Sequence, residues 1–180
     1  MAVLFGGKGY GQVEPNRCSF LHDGNIESQC IATADIENGA IVEVKKAGPT
    51  TVTIDGTTLT TDVGSVTAAT TLSGLIGLNY TAERIYDDKT GLRNFKVVKG
   101  EYPRVGILKK GDVFTTNYVT STTYTKIGDV KTALTSGTAL YLDVGATITS
   151  QTAPTGDIVL QIVEETTMPD GQPAVKVQVI

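Results

Sequence analysis

Cys18, His22 and Cys30 are the residues of this chain whose types suit a metal ion best, and His22 is its one histidine. Zinc ligands usually come in close Cys-x2–4-Cys pairs. Here the spacing is Cys-x3-His-x7-Cys, three ligands in a loop with Asp23 as the nearest fourth. A solvated loop histidine and two small, mildly apolar thiols account for the same residues more simply. With two cysteines and no export signal ahead of them, free thiols are expected rather than a disulfide. The run Gly6-Gly-Lys-Gly-Tyr-Gly11 has the glycines of a phosphate cradle, but no Lys-Ser/Thr pair and no strand of useful length before it. It reads as a pliable arm. Asp87 and Asp88, with Glu83 nearby, are the calcium candidates, yet Lys89-Thr-Gly91 follows at once and makes a solvated turn the simpler reading. Glu164 and Glu165 sit together at a strand end, and no serine or cysteine stands in a nucleophile-elbow sequence. The expectation is a protein that is not an enzyme, with no catalytic residue, no metal and no cofactor.

The elements that must position any site are short strands. Threonine makes up about one residue in six, and its branched Cβ favours strands while its hydroxyl keeps an exposed face wet. A pattern of apolar residue, two variable residues, glycine, one residue and an apolar run recurs at Gly39, Gly111, Gly137 and, more loosely, Gly156. Each copy places a turn residue free to take positive φ directly before a strand. The intervals are unequal, so these are shared corners and not a solenoid repeat. Thr50–Ile54 and Thr57–Thr61 flank Asp55-Gly56, a strong hairpin signal. Ala174–Ile180 alternates, with Val175, Val177 and Val179 on one face and Lys176 and Gln178 on the other. Further strands are expected at Ile41–Val44, Asn94–Lys99, Val105–Leu108, Val113–Val119, Ser121–Ile127, Ala139–Val144 and Ile158–Glu164. Val63–Leu78 lacks bulky residues and reads as a long loop or a weakly anchored strand. One helix of about two turns is expected over Val130–Leu134, capped by Asp129.

The resulting fold class is all-β: a compact β-barrel or β-sandwich of short antiparallel strands, with one short helix. Residues 1–34 show no sustained period and read as an extended N-terminal arm, and residues 35–180 as the β-rich body. Val3, Leu4 and Phe5 form an apolar tip on the glycine stem, suited to insertion into a neighbouring surface. No basic leader or long apolar span marks the chain for a membrane.

Charge is distributed unevenly. The whole chain carries −4, yet the segment from Arg93 to Lys110 carries +5 through Arg93, Lys96, Lys99, Arg104, Lys109 and Lys110 against Glu101. The acidic balance of the remainder argues against nucleic acid as a ligand. In the simplest reading these charges are the wet faces of two strands and a turn, and lysines also guard strand edges. In the functional reading the segment docks on an acidic protein surface, with Phe95 and Tyr102 as anchors.

The segments Ile36-Glu-Asn-Gly39-Ala-Ile-Val-Glu-Val44, Leu108-Lys-Lys-Gly111-Asp-Val-Phe and Leu134-Thr-Ser-Gly137-Thr-Ala-Leu-Tyr-Leu-Asp-Val144 sit in a threonine-, glycine- and alanine-rich acidic chain. In this the region 35–180 resembles the capsid decoration proteins of tailed bacteriophages, also called cement or head-stabilising proteins. The resemblance implies a structural virion protein, made in the host cytoplasm, that binds the major capsid protein on the outside of an assembled shell and strengthens it. It also implies a homo-oligomer, with a trimer favoured, and neither nucleic acid nor membrane as partner. The arm and the threonine-rich stretch 50–72 depart from compact members of that family. The alternative is a host-glycan or receptor-binding β module, in which Tyr118, Tyr124 and Tyr141 stack on sugars.

Overall fold

The computed structural model of the protein describes residues 10–46, 48–81, 95–150 and 152–180. In chain order the elements are β1 (Val13–Arg17), α1 (Phe20–Asp23), β2 (Ile26–Glu27), β3 (Ile31–Ala32), β4 (Ile41–Lys45), β5 (Thr50–Ile54) and β6 (Thr57–Thr61). There follow β7 (Ser65–Ala68), β8 (Ile76–Asn79), β9 (Val105–Ile107), β10 (Val113–Thr116), α2 (Asp129–Thr135), β11 (Leu140–Asp143), β12 (Thr147–Ser150), β13 (Leu160–Thr167) and β14 (Pro173–Val179). The fold is mostly β, as expected, and among the described residues its sheets do not close into a barrel.

One six-stranded sheet has the order β1-β10-β14-β13-β11-β12, all antiparallel. The other runs β2-β9-β8-β4-β7-β3, antiparallel except for β3 with β7. The two share a core. Phe114, Leu140, Leu142, Leu160, Ile162, Val175 and Val177 from the first sheet meet Ile41, Ile76 and Leu78 from the second. Alternation turns Val42 and Val44 of β4 the other way, into a second core with Ala32, Ile36, Val66, Val97 and Val105. The second sheet is therefore apolar on both faces, and its strands do not read as wet on one side. The hairpin β5–β6 stands as a separate two-stranded sheet.

Several expectations hold closely. The hairpin turns at Asp55-Gly56 with φ of +47° and +79°, the positive pair that a two-residue turn needs, and β14 buries the expected valines. Gly39, Gly111 and Gly137 take positive φ. Gly156 does not; there a Cβ would lie 2.5 Å from the Leu72 carbonyl oxygen, so the loosest corner is glycine for close packing.

Others need correction. Residues 13–32, expected in the arm, supply β1, β2 and β3, and Cys18 and Phe20 are fully buried. They lack a period because β1 is an edge strand with Pro15 and a register shift between Glu14 and Arg17, while β2 and β3 are two residues each. Val63–Leu78 is no loop: β8 is buried throughout and lies inside its sheet. Leu72, Ile76 and Leu78 enter the first core, and within β8 only Gly77 must stay small, a Cβ there falling 2.3 Å from Val105 Cγ1. In the expected strand Asn94–Lys99, of which residues 95–99 are described, those residues make only the bridge of Val97 to Ile36. Ser121–Ile127 forms no strand, since the Ser121 hydroxyl accepts the N–H groups of Thr123 and Tyr124 at 3.1 and 2.8 Å and winds the chain into a turn.

The short helix is present, but its cap comes from elsewhere. Asp129 turns back to accept the N–H groups of Thr125 and Lys126 at 3.1 and 2.9 Å. The free amides of Gly128 and Lys131 instead donate to the two carboxylate oxygens of Glu165, at 2.5 and 2.8 Å. A side chain of β13 thus satisfies the start of α2.

Candidate docking surface

The basic segment does not form one strip. Val105, Gly106, Ile107 and Leu108 are all buried, so β9 has no wet face, and the charges collect at its two ends. Five residue steps of extended chain from Arg104 to Lys109 set these groups on the order of 15 Å apart. Arg93, Val3, Leu4 and Phe5 lie outside the described residues, as do Glu83, Asp87 and Asp88.

The first group occupies the turn over residues 95–104. The turn is tied down from within and from Asp35. Gly100 N–H donates to the Ala32 carbonyl and Ala32 N–H to that of Glu101, both at 2.8 Å, while the Glu101 carboxylate accepts Val98 N–H at 3.0 Å. Asp35 accepts the Lys96 ammonium and the Lys99 N–H, the latter at 3.0 Å. The Lys96 ammonium, and then the Lys99 amide, hold the Asp35 carboxyl below the usual carboxylate range. Val98 and Tyr102 are left 46% and 53% exposed on this anchored turn, flanked by Lys96, Lys99 and Arg104. Phe95 is half-buried and a poorer anchor than expected. The Arg104 guanidinium lies 5.0 Å from the centroid of Tyr80, which in turn leans on Phe20.

Val98 was not among the candidate contacts. Its signal was the pair Val97-Val98 between lysines: adjacent residues of extended chain face opposite ways, so one of two valines must point outward.

The second group is Lys109 and Lys110 at the Gly111 corner. Lys109 pairs with Asp23 at 2.5 Å, and that contact first of all lowers the Asp23 carboxyl pKa. Lys110 borders a depression of about 440 Å³ together with Arg17, His22, Cys18 and Asp112. Asp112 is spent on structure, accepting the N–H groups of Ser19 and Lys109 at 2.8 and 2.9 Å.

The remaining candidates divide by position. Cys18 belongs to the first core and Cys30 to the second, both as free thiols, so the Cys-His-Cys trio is not assembled. No group of three or more metal-binding side chains occurs among the described residues. Burial, then the Asp112 charge, pushes the Cys18 thiol up to about 12, and burial with Glu27 pushes Cys30 to about 11. Neither is an activated nucleophile. Glu164 pairs across the ladder with Lys176 at 2.5 Å and Glu165 caps α2, so this acid pair is occupied by structural contacts. Tyr118 and Tyr124 are half-buried against the first core, and Tyr141 is half-buried on β11. That leaves little open ring for a sugar. No helix among the described residues is long and apolar enough to cross a membrane.

No family model, curated protein or solved structure matches the chain. The resemblance to decoration proteins therefore rests on the glycine-corner segments alone.

Proposed function

We propose that this protein is a non-catalytic structural component that docks on an acidic protein surface through the turn at residues 95–104, and that the surface is the exterior of an assembled phage capsid. The observation that supports docking is the exposed Val98 and Tyr102 on a turn pinned by Asp35, Ala32 and Glu101 and ringed by cations. Apolar anchors inside a charged rim are the usual composition of a transient protein interface. A rigid turn also loses little freedom on binding, so more of the contact energy becomes affinity. The capsid as partner, the major capsid protein as its contact and the virion exterior as location come from the family resemblance. In that setting the acidic remainder of the molecule faces away from the shell and from packaged DNA.

Co-sedimentation with undecorated tailed-phage shells tests the reading. Tyr102→Ala should weaken binding about tenfold or more, and Lys99→Glu should weaken it further at low salt. Binding by neither wild type nor variant, together with specific retention on a glycan array, would overturn the capsid reading in favour of a receptor-binding module.

A further inference from the structure

The hairpin carries a five-residue edge without charge or proline. Among the described residues, β6 pairs with β5 on one side and with no strand on the other, and four of its five residues are exposed. Natural edge strands are guarded by charge, proline, bulges or brevity. β1 has Glu14, Pro15, Arg17 and a register shift, and β2 and β3 have two residues each. β6 reads Thr-Thr-Leu-Thr-Thr, five residues of strand-favouring sequence with no charge and no proline, and Leu59 at its centre is 47% exposed.

That sequence is a palindrome about Leu59. The hydrogen-bond register makes the symmetry usable. In a two-residue hairpin the closing pair Ile54–Thr57 exchanges both hydrogen bonds, and pairs then alternate. Thr57, Leu59 and Thr61 thus aim their amides at β5, while Thr58 and Thr60 aim theirs at the open edge. The 3.2 Å approach of the Thr51 and Thr60 hydroxyls, and of Thr53 and Thr58, fits the closer side-chain spacing of non-hydrogen-bonded pairs.

We infer that β6 is a self-association edge, pairing antiparallel with β6 of a second copy about a twofold axis at Leu59. Thr58 then faces the partner's Thr60, Thr60 faces the partner's Thr58, and the four peptide groups exchange four hydrogen bonds. Leu59 meets the partner's Leu59 at a close, non-hydrogen-bonded position. Two hairpins become one four-stranded sheet, and the paired threonines extend into rows four residues wide: Thr53, Thr58, the partner's Thr60 and the partner's Thr51. Two strands form a marginal sheet and four do not. The inference is independent of the capsid reading, and its isologous geometry joins molecules in pairs.

Sedimentation velocity over a concentration series reads the result. Wild type should show a monomer–dimer equilibrium. Leu59→Lys and Leu59→Glu should each weaken it at least about tenfold, because like charges then face one another across the axis. An equimolar mixture of the two variants should restore the dimer, since only the mixed pair sets opposite charges together. Leu59→Cys should cross-link under oxidised glutathione while Thr53→Cys, on the inner strand, should not; the native thiols are buried. Circular dichroism of each variant confirms that the body is folded. A wild type that stays monomeric at millimolar concentration, or a dimer indifferent to charge at position 59, overturns the proposal.

Discussion

β14 and β6 are the two strands written most plainly in the sequence, and they end in opposite surroundings. β14 has one apolar face, a partner on each side and valines with no exposure. β6 has a partner on one side and is open to solvent. The difference shows that local signals specify that a strand forms, whereas its apolar face decides where it goes. A strand of threonines around one leucine has too little apolar area to be drawn inside, at about 25 cal/mol per Å². It remains on the rim, where its backbone is available to another chain.

The comparison can be broken first at its buried end. Phe114 is fully buried and stands opposite Val177 of β14, so Phe114→Ala should lower unfolding free energy by about 3–5 kcal/mol, read from chemical denaturation. Alkali should act next, through the core thiols. The Cys18 pKa is raised from 9.0 to about 12, so its contribution is full below pH 9 and is lost as pH rises towards 12. The loss is on the order of 4 kcal/mol, and Cys18→Ala should flatten the fall in melting temperature across that window. Third comes the helix cap: Glu165→Ala leaves the Gly128 and Lys131 amides without their acceptor and should cost about 1–2 kcal/mol. The smallest effect belongs to the rim. Leu59→Ala should change monomer stability by less than about 0.5 kcal/mol while weakening self-association, a separation that no buried position of β14 can show.

Much of this architecture was legible where a single pattern governed a segment. β14 alternates, the β5–β6 turn needs positive φ, and α2 stops short of Gly137. The reading failed where two demands overlapped. β8 is four residues long, with Ile76 and Leu78 facing the first core and Gly77 pressed against Val105, too short a run for its alternation to stand out. β1 was hidden by the proline and bulge that make it a safe edge. At the candidate docking surface the cations were visible, but their partners were not. Asp35 and Asp23 lie 61 and 86 residues from Lys96 and Lys109, and the burial of β9 that divides the charges is a property of the folded sheets.

The order β1-β10-β14-β13 has a bearing on how the molecule is made. β1 emerges early, yet it pairs only with β10, and β10 meets the rest of its sheet only through β14. A nascent chain therefore carries β1 and β10 apart from the other strands of their sheet until β14 leaves the ribosome. Loop closures of this span are slow and leave apolar surface exposed meanwhile. A chain that stops before Pro173 loses the strand that joins β10 to β13, and Phe114 loses Val177 opposite it. Closure of that sheet thus waits on one strand, and a copy without it leaves the Val113–Thr116 edge unpaired on the side β14 would cover.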